Sequence, residues 1–137
     1  MKIAFNIARG IVLLFALFFI VMGLQWLFMP QNMADDFALI PNGILGWATI
    51  RADLGAVFLV TGITAALAAS NNPCNGAYLI CGCLLMGVAA TGRMIGFVMD
   101  GIPEGGMTPF IFELAVVAAL VGLASTRRRL NKPETTA

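Results

Sequence analysis

Four long apolar runs, separated by short polar segments, dominate the hydrophobic pattern of this chain. A helix needs about 20 residues to cross the hydrocarbon core of a bilayer, and each run is long enough. The four runs cover about residues 7–28, 48–69, 76–99 and 109–126. Pro30 follows the first run, and turn sequences follow the second (SNNPCNG) and the third (DGIPEGG). The pattern therefore predicts an all-α integral membrane protein, a bundle of four transmembrane helices.

The composition supports a membrane protein. The chain has 137 residues, of which 60% are hydrophobic and 11% charged, and its mean hydropathy is +0.92. A soluble domain usually carries about 25% charged residues. We expect one transmembrane domain (residues 1–126) followed by a polar cytoplasmic tail (residues 127–137). The chain has no histidine, and its three cysteines lack CxxC spacing, so the sequence predicts neither a metal site nor a cofactor.

The positions of the basic residues predict the orientation. Lys and Arg outside the apolar runs lie only near the two chain ends, whereas both longer loops, 29–47 and 100–108, contain acidic residues and no basic ones. Basic residues favour the cytoplasmic side of a membrane. Both termini are therefore expected in the cytoplasm and the acidic loops outside. The Arg127–Arg129 run fits this orientation signal better than a site for anionic lipid.

The first outer loop has the composition of an interfacial segment. Trp26 and Trp47 flank it, and tryptophan is enriched where a membrane meets water. Between them the sequence predicts a short interfacial helix. Its buried side is expected to carry Met33, Phe37 and Ile40.

Four ionisable residues remain inside the predicted spans: Arg51, Asp53, Arg93 and Glu113. At a rise of 1.5 Å per residue, all four fall within about 10 Å of the outer boundary. Asp100 lies at the rim, and Gln25 is expected in the same layer. Charges that face lipid cost several kcal/mol together, and pairing inside the bundle removes most of that cost. The sequence thus predicts a polar cluster near the outer face, either structural or ligand-binding.

The spacing of these residues limits which of them can pair. Arg51 and Asp53 are two positions apart on one helix and point about 200° apart, so they cannot pair well with each other. At least one must reach another helix or extend outward, and we expect Arg51 to reach across. The preferred pairs are Arg93 with Glu113 or Asp53, and Arg51 with Asp100 or Glu113. The small residues of GRMIG (92–96) are expected to let helices approach closely.

Three segments resemble a known bacterial family. They are RADLGAVFLVTG (51–62), GRMIGFVMDG (92–101) and FELAVVAALVGL (112–123), and the resemblance extends over nearly the whole chain. It is to the small four-helix membrane proteins catalogued as domain of unknown function 4345. The family pattern has a second glycine after Gly55, where this chain has Ala56. The resemblance implies the fold, the polar positions and a multi-pass location in a bacterial inner (cytoplasmic) membrane, but no reaction.

Three functions fit the sequence. The first is a structural or accessory membrane subunit held together by the charged cluster. The second is a binding protein for an amphipathic small molecule, such as a lipid or quinone, with Arg51 or Arg93 contacting its polar head. The third is an enzyme or proton-coupled carrier that uses Glu113 or Asp53. The lack of histidine, metal ligands and a hydroxyl nucleophile in the layer favours a protein without catalytic residues.

The expected partners follow from the same features. The lipid bilayer is the main expected partner. The small residues along the predicted helices are also compatible with a membrane protein partner or an oligomer. Nucleic-acid binding is not expected, because the basic residues are few and follow the orientation rule.

Overall fold

A computed structural model describes residues 2–131, and within them all regular secondary structure is helical. It has four long helices and a short one: α1 (Lys2–Phe28), α2 (Pro30–Ala34), α3 (Gly43–Ala69), α4 (Asn75–Met99) and α5 (Met107–Leu130). All four long helices are long and apolar enough to cross a membrane. The predicted multi-pass fold of four spanning helices with a short helix in the first loop is confirmed.

The long helices form an antiparallel bundle. α1 packs against α3 and α5, and α4 packs against α3 and α5, so each helix has two close neighbours. One end of the bundle carries Lys2, the turn between α3 and α4, and Leu130; we call it the terminal end. The other end carries residues 29–42 and 100–106; we call it the loop end. Large apolar side chains cover the outer surface, among them Leu14 (69% exposed) and Val88 (68% exposed), as expected for helices that face lipid.

Three glycines set the close contact between α1 and α3. A Cβ atom on Gly62 would lie 2.8 Å from the Ala16 carbonyl oxygen and 2.8 Å from the Ile20 backbone nitrogen. A Cβ atom on Gly23 would lie 2.7 Å from the Leu59 backbone nitrogen. A Cβ atom on Gly55 would lie 2.8 Å from the side chain of Leu27. The two backbones therefore approach to a distance that only glycine permits.

The GRMIG segment does not make such a contact. Cβ atoms on Gly92 and Gly96 would meet nothing within 4 Å. The expectation that these glycines bring helices together is wrong within the described chain, because both lie where α4 has no neighbouring helix against them. The spacing of small residues identified packing in general, but it did not show which helix face is buried.

Aromatic rings fill the middle of the bundle. The Phe112 ring on α5 lies 5.3 Å from Phe15 and 5.0 Å from Phe18 of α1. Phe19 in turn lies 5.8 Å from Phe112 and 5.9 Å from Phe58 of α3. These ring contacts fix the positions of α1, α3 and α5 relative to one another along the axis of the bundle.

The first loop folds onto the bundle. Trp26 is fully buried and its ring lies 5.2 Å from that of Phe37, so the expectation that Trp26 is an interfacial anchor is wrong. Its Nε1 atom has no hydrogen-bond partner among the described residues. Met33 is buried as expected, whereas Phe37 and Ile40 lie beyond α2 and are 41% and 97% exposed. Ile40 leaves the buried side because α2 ends at Ala34.

α5 continues beyond the predicted end of its span. Residues 127–130, expected to belong to the polar tail, form the last turn of α5. Arg127 holds this turn: its Nη2 donates to the Ser70 carbonyl at 3.0 Å, and its guanidinium carbon lies 5.6 Å from the centre of the Phe5 ring. The rest of the predicted tail, residues 132–137, lies outside the described residues.

Candidate functional site

An ion pair joins α4 to α5. Arg93 donates to Glu113 from Nη2 to Oε1 at 2.9 Å, and from Nε to Oε1 and Oε2 at 3.3 Å each. The Glu113 side chain is 11% exposed and that of Arg93 is 34% exposed. Two nitrogens of one guanidinium against one carboxylate make the geometry in which arginine binds carboxylates most strongly. Arg93–Glu113 is one of the pairs expected from the sequence.

The hairpin between α4 and α5 explains why these two side chains meet. Arg93 lies six residues before Met99, where α4 ends, and Glu113 lies six residues after Met107, where α5 begins. In an antiparallel pair, positions equally far from the connection lie side by side. The connection itself turns with positive φ angles at Gly101 (89°) and Gly105 (73°), conformations that favour glycine.

Arg51 reaches a different partner from those expected. Its Nη1 donates to the backbone carbonyl oxygen of Leu27, near the end of α1, at 3.3 Å. The prediction that Arg51 extends to another helix is confirmed, but its pairing with Asp100 or Glu113 is wrong. The last carbonyls of a helix lack partners within the helix and carry partial negative charge, so they attract a cation.

The height of Arg51 explains this outcome. Glu113 follows Phe112, and the rings of Phe112 and Phe58 both contact the Phe19 ring of α1. Arg51 precedes Phe58 by seven residues, which is about 10 Å along α3, so Arg51 lies nearer the loop end than the ion pair. The polar residues therefore lie at two levels and not in the single layer expected. The Arg93–Glu113 pair lies inside the bundle, and Arg51 lies nearer the loop end, beside the end of α1.

The remaining predicted site residues lie outside the pair. Gln25, Asp53 and Asp100 are exposed. Their side chains make no hydrogen bond or ion pair with another described residue. Asp53 is two residues from Arg51 and points away from it, as the spacing predicts.

Asp100 does share a cavity with Arg93. The cavity lies at the loop end and has a volume of about 380 Å³. Its lining is Arg93, Gly96, Phe97, Asp100, Gly101, Ile102 and Pro103. It is open to the outside of the bundle, and it has one cation, one anion and one aromatic ring.

A larger groove lies at the terminal end, also between α4 and α5. Its volume is about 850 Å³. The walls are mainly apolar side chains, including Leu79, Ile80, Leu84, Leu120 and Val121, and the polar residues Arg127, Arg128 and Asn131 lie at the end of α5. This groove was not predicted from the sequence, because the depth of a gap between two helices depends on their packing angle rather than on residue spacing.

The described residues include no group of three or more Cys, Asp or Glu side chains that could hold a metal ion. Cys74 is exposed, and Cys81 and Cys83 are half-buried; all three are free thiols.

Comparison with known families shows which family the chain belongs to. The profile of the family described as Domain of unknown function (DUF4345) matches residues 7–124. The chain belongs to this family. The matched region contains the whole of α3 and α4, most of α1 and α5, and both members of the Arg93–Glu113 pair. No curated protein and no solved structure matches the chain.

Proposed function

We propose that this protein is a structural or accessory membrane protein without a catalytic role, in which the Arg93–Glu113 pair fastens α4 to α5. The single observation that supports the proposal is the geometry of the pair. Glu113 is buried, and both of its oxygens already accept hydrogen bonds from Arg93. A carboxylate whose two oxygens both accept from one guanidinium is suited to holding two helices together.

The hydroxyl groups in the long helices support the same interpretation. Thr61 donates to the Val57 carbonyl at 2.7 Å, and Thr91 donates to the Gly87 carbonyl at 2.8 Å. These side chains satisfy their hydrogen-bonding capacity within their own helices. Neither hydroxyl is paired with a base, as a nucleophile would have to be.

A charge swap tests the proposal. Exchanging the two residues, as Arg93→Glu combined with Glu113→Arg, keeps one cation and one anion facing each other between α4 and α5. We expect the swapped protein to accumulate in the membrane at roughly the wild-type level and to replace the wild type in cells that lack it. Each single change is expected to lower the folded amount several-fold, because it leaves two like charges inside the bundle.

One outcome of the charge swap would contradict the proposal. If the swapped protein folds normally but cannot replace the wild type, the two side chains have a role beyond holding the helices. A binding or catalytic site would then be implied.

A second function is favoured by the cavity at the loop end. About 380 Å³ is within the size range of small-molecule sites. Arg93 has a third of its side chain exposed and lines the cavity together with Asp100. This arrangement suits an amphipathic molecule, lipid-like or quinone-like, whose polar head contacts these two residues.

Purification in mild detergent followed by mass spectrometry tests this second function. Gly96 lines the cavity, and a Cβ atom there would meet nothing within 4 Å, so Gly96→Leu is expected to fill the cavity. Gly92→Leu is the matched control, since Gly92 has the same free space but does not line the cavity. A molecule that copurifies with the wild type and Gly92→Leu but not with Gly96→Leu supports the site. Repeated purification without any enriched molecule contradicts it.

A further inference from the structure

The terminal end of the bundle is positively charged throughout its described part. Lys2, Arg9 and the three arginines of the last turn of α5 lie there, and Arg9 is close enough to Arg127 to repel it. Within residues 2–131, every Asp and Glu lies in the loops at the other end or in the helix halves nearest them. Among the described residues, no carboxylate offsets these cations.

Arg127 is held in place at this end. Its Nη2 donates to Ser70, and Phe5 covers the guanidinium. Its Nη1 is buried and has no hydrogen-bond partner among the described residues. A buried donor without an acceptor costs free energy, and the cost is greater when the donor is charged. An anion bound beside this guanidinium would offset its charge and the repulsion by Arg9.

The groove between α4 and α5 begins at this same point. Arg127, Arg128 and Asn131 line it at the end of α5, and apolar side chains such as Leu79, Ile80 and Leu84 line it further along α4. One site therefore combines a cationic, hydrogen-bonding end with an apolar channel that runs into the membrane-spanning part of the bundle. An ion alone would leave the apolar channel unfilled, and a neutral acyl chain alone would leave the arginines without an anion.

We propose that this groove binds an anionic phospholipid. The phosphate lies against Arg127, Arg128 and Asn131, and an acyl chain lies between α4 and α5. The positive charge of the arginines, which complements a phosphate, and the apolar lining of the groove support this proposal. The proposal does not depend on the function of the Arg93–Glu113 pair, which lies in the other half of α4 and α5.

Native mass spectrometry of the full-length protein, released from vesicles of phosphatidylglycerol and phosphatidylcholine, tests the proposal. We expect the wild type to retain phosphatidylglycerol in preference to phosphatidylcholine. One arginine near an anionic surface contributes enough to change binding about five-fold. Arg127→Gln is therefore expected to reduce the retained phosphatidylglycerol by about five-fold. Arg129→Gln, which removes the same charge from the same turn but does not line the groove, is expected to have a smaller effect.

A second pair of variants tests the groove itself and does not depend on the folding of Arg127→Gln. Gly76 lines the groove and has free space around it, so Gly76→Leu should fill the groove and reduce lipid retention. Gly87→Leu, with the same free space outside the groove, should leave retention unchanged. Removal of residues 132–137, which contain both Lys132 and Glu134 and so carry no net side-chain charge, should leave retention unchanged.

Several results would overturn the proposal. One is equal retention of the two lipids. Another is an equal loss with Arg127→Gln and Arg129→Gln, which would indicate attraction to net charge alone. Unchanged retention with Gly76→Leu would show that no acyl chain uses the groove. Displacement of phosphatidylglycerol by inorganic phosphate alone would make the ligand a free anion rather than a lipid.

Discussion

Arg93→Met is expected to destabilise the protein by about 3 kcal/mol, because it leaves the buried carboxylate of Glu113 without its partner. Removing one member of a buried ion pair costs about 3–5 kcal/mol. The lower end applies here, since a third of the Arg93 side chain is exposed and the pair is partly hydrated. The free energy of unfolding, measured by titration with a denaturing detergent and followed by circular dichroism, gives the value.

Arg129→Met is the control for this change. It also removes one arginine, but from the exposed last turn of α5, where Arg129 has no ion pair with a described residue. We expect no measurable loss of stability. A similar loss in both variants would mean that the effect comes from net charge and not from the pair.

Gly62→Leu is expected to disrupt the contact between α1 and α3. Even the first side-chain carbon would lie 2.8 Å from two backbone atoms of α1, in Ala16 and Ile20, and backbone atoms cannot move aside as a side chain can. Overpacking of a close contact costs about 1–3 kcal/mol, and the backbone clash places this variant at the upper end, about 3 kcal/mol. The same unfolding titration measures the loss, and reduced accumulation in the membrane should accompany it.

Gly92→Leu provides the comparison, because a Cβ atom there meets nothing within 4 Å. We expect it to accumulate like the wild type. If Gly92→Leu were the more damaging of the two changes, α4 would have a close helical neighbour at Gly92, in this chain or in a second copy, and the packing described here would be incomplete.

Much of the fold could be predicted from the sequence. Apolar length alone located the four spanning helices, since each predicted span lies within an observed helix. The pairing of Arg93 with Glu113 was also accessible, because residues placed symmetrically about a short hairpin lie at the same height, and opposite charges at one height in a membrane favour pairing. The direction of Arg51 followed from the opposed positions of Arg51 and Asp53 on one helix.

The surroundings of Arg51, Trp26 and Gly62 could not be predicted, because they depend on how distant segments pack and not on the neighbouring sequence. The depth of Arg51 was misjudged because α3 begins at Gly43, before the predicted start of its span, so the Arg51 side chain meets the end of α1 at the Leu27 carbonyl and not the ion pair. Trp26 was assigned to the interface because an indole ring suits both an interface and a core, and only the folded loop with Phe37 distinguishes them. Gly62 and Gly92 look alike in sequence, yet only Gly62 faces another backbone.

A double-mutant cycle on Arg93 and Glu113 tests most directly that the pair is a structural fastening between α4 and α5. The four proteins are the wild type, Arg93→Met, Glu113→Leu and the double variant, and the free energy of unfolding is measured for each in the same detergent. We predict that each single change destabilises the protein, whereas the double variant recovers to within about 1 kcal/mol of the wild type, because an apolar pair can replace a buried ion pair. Single losses that add in the double variant, with no coupling between the two positions, would contradict the account.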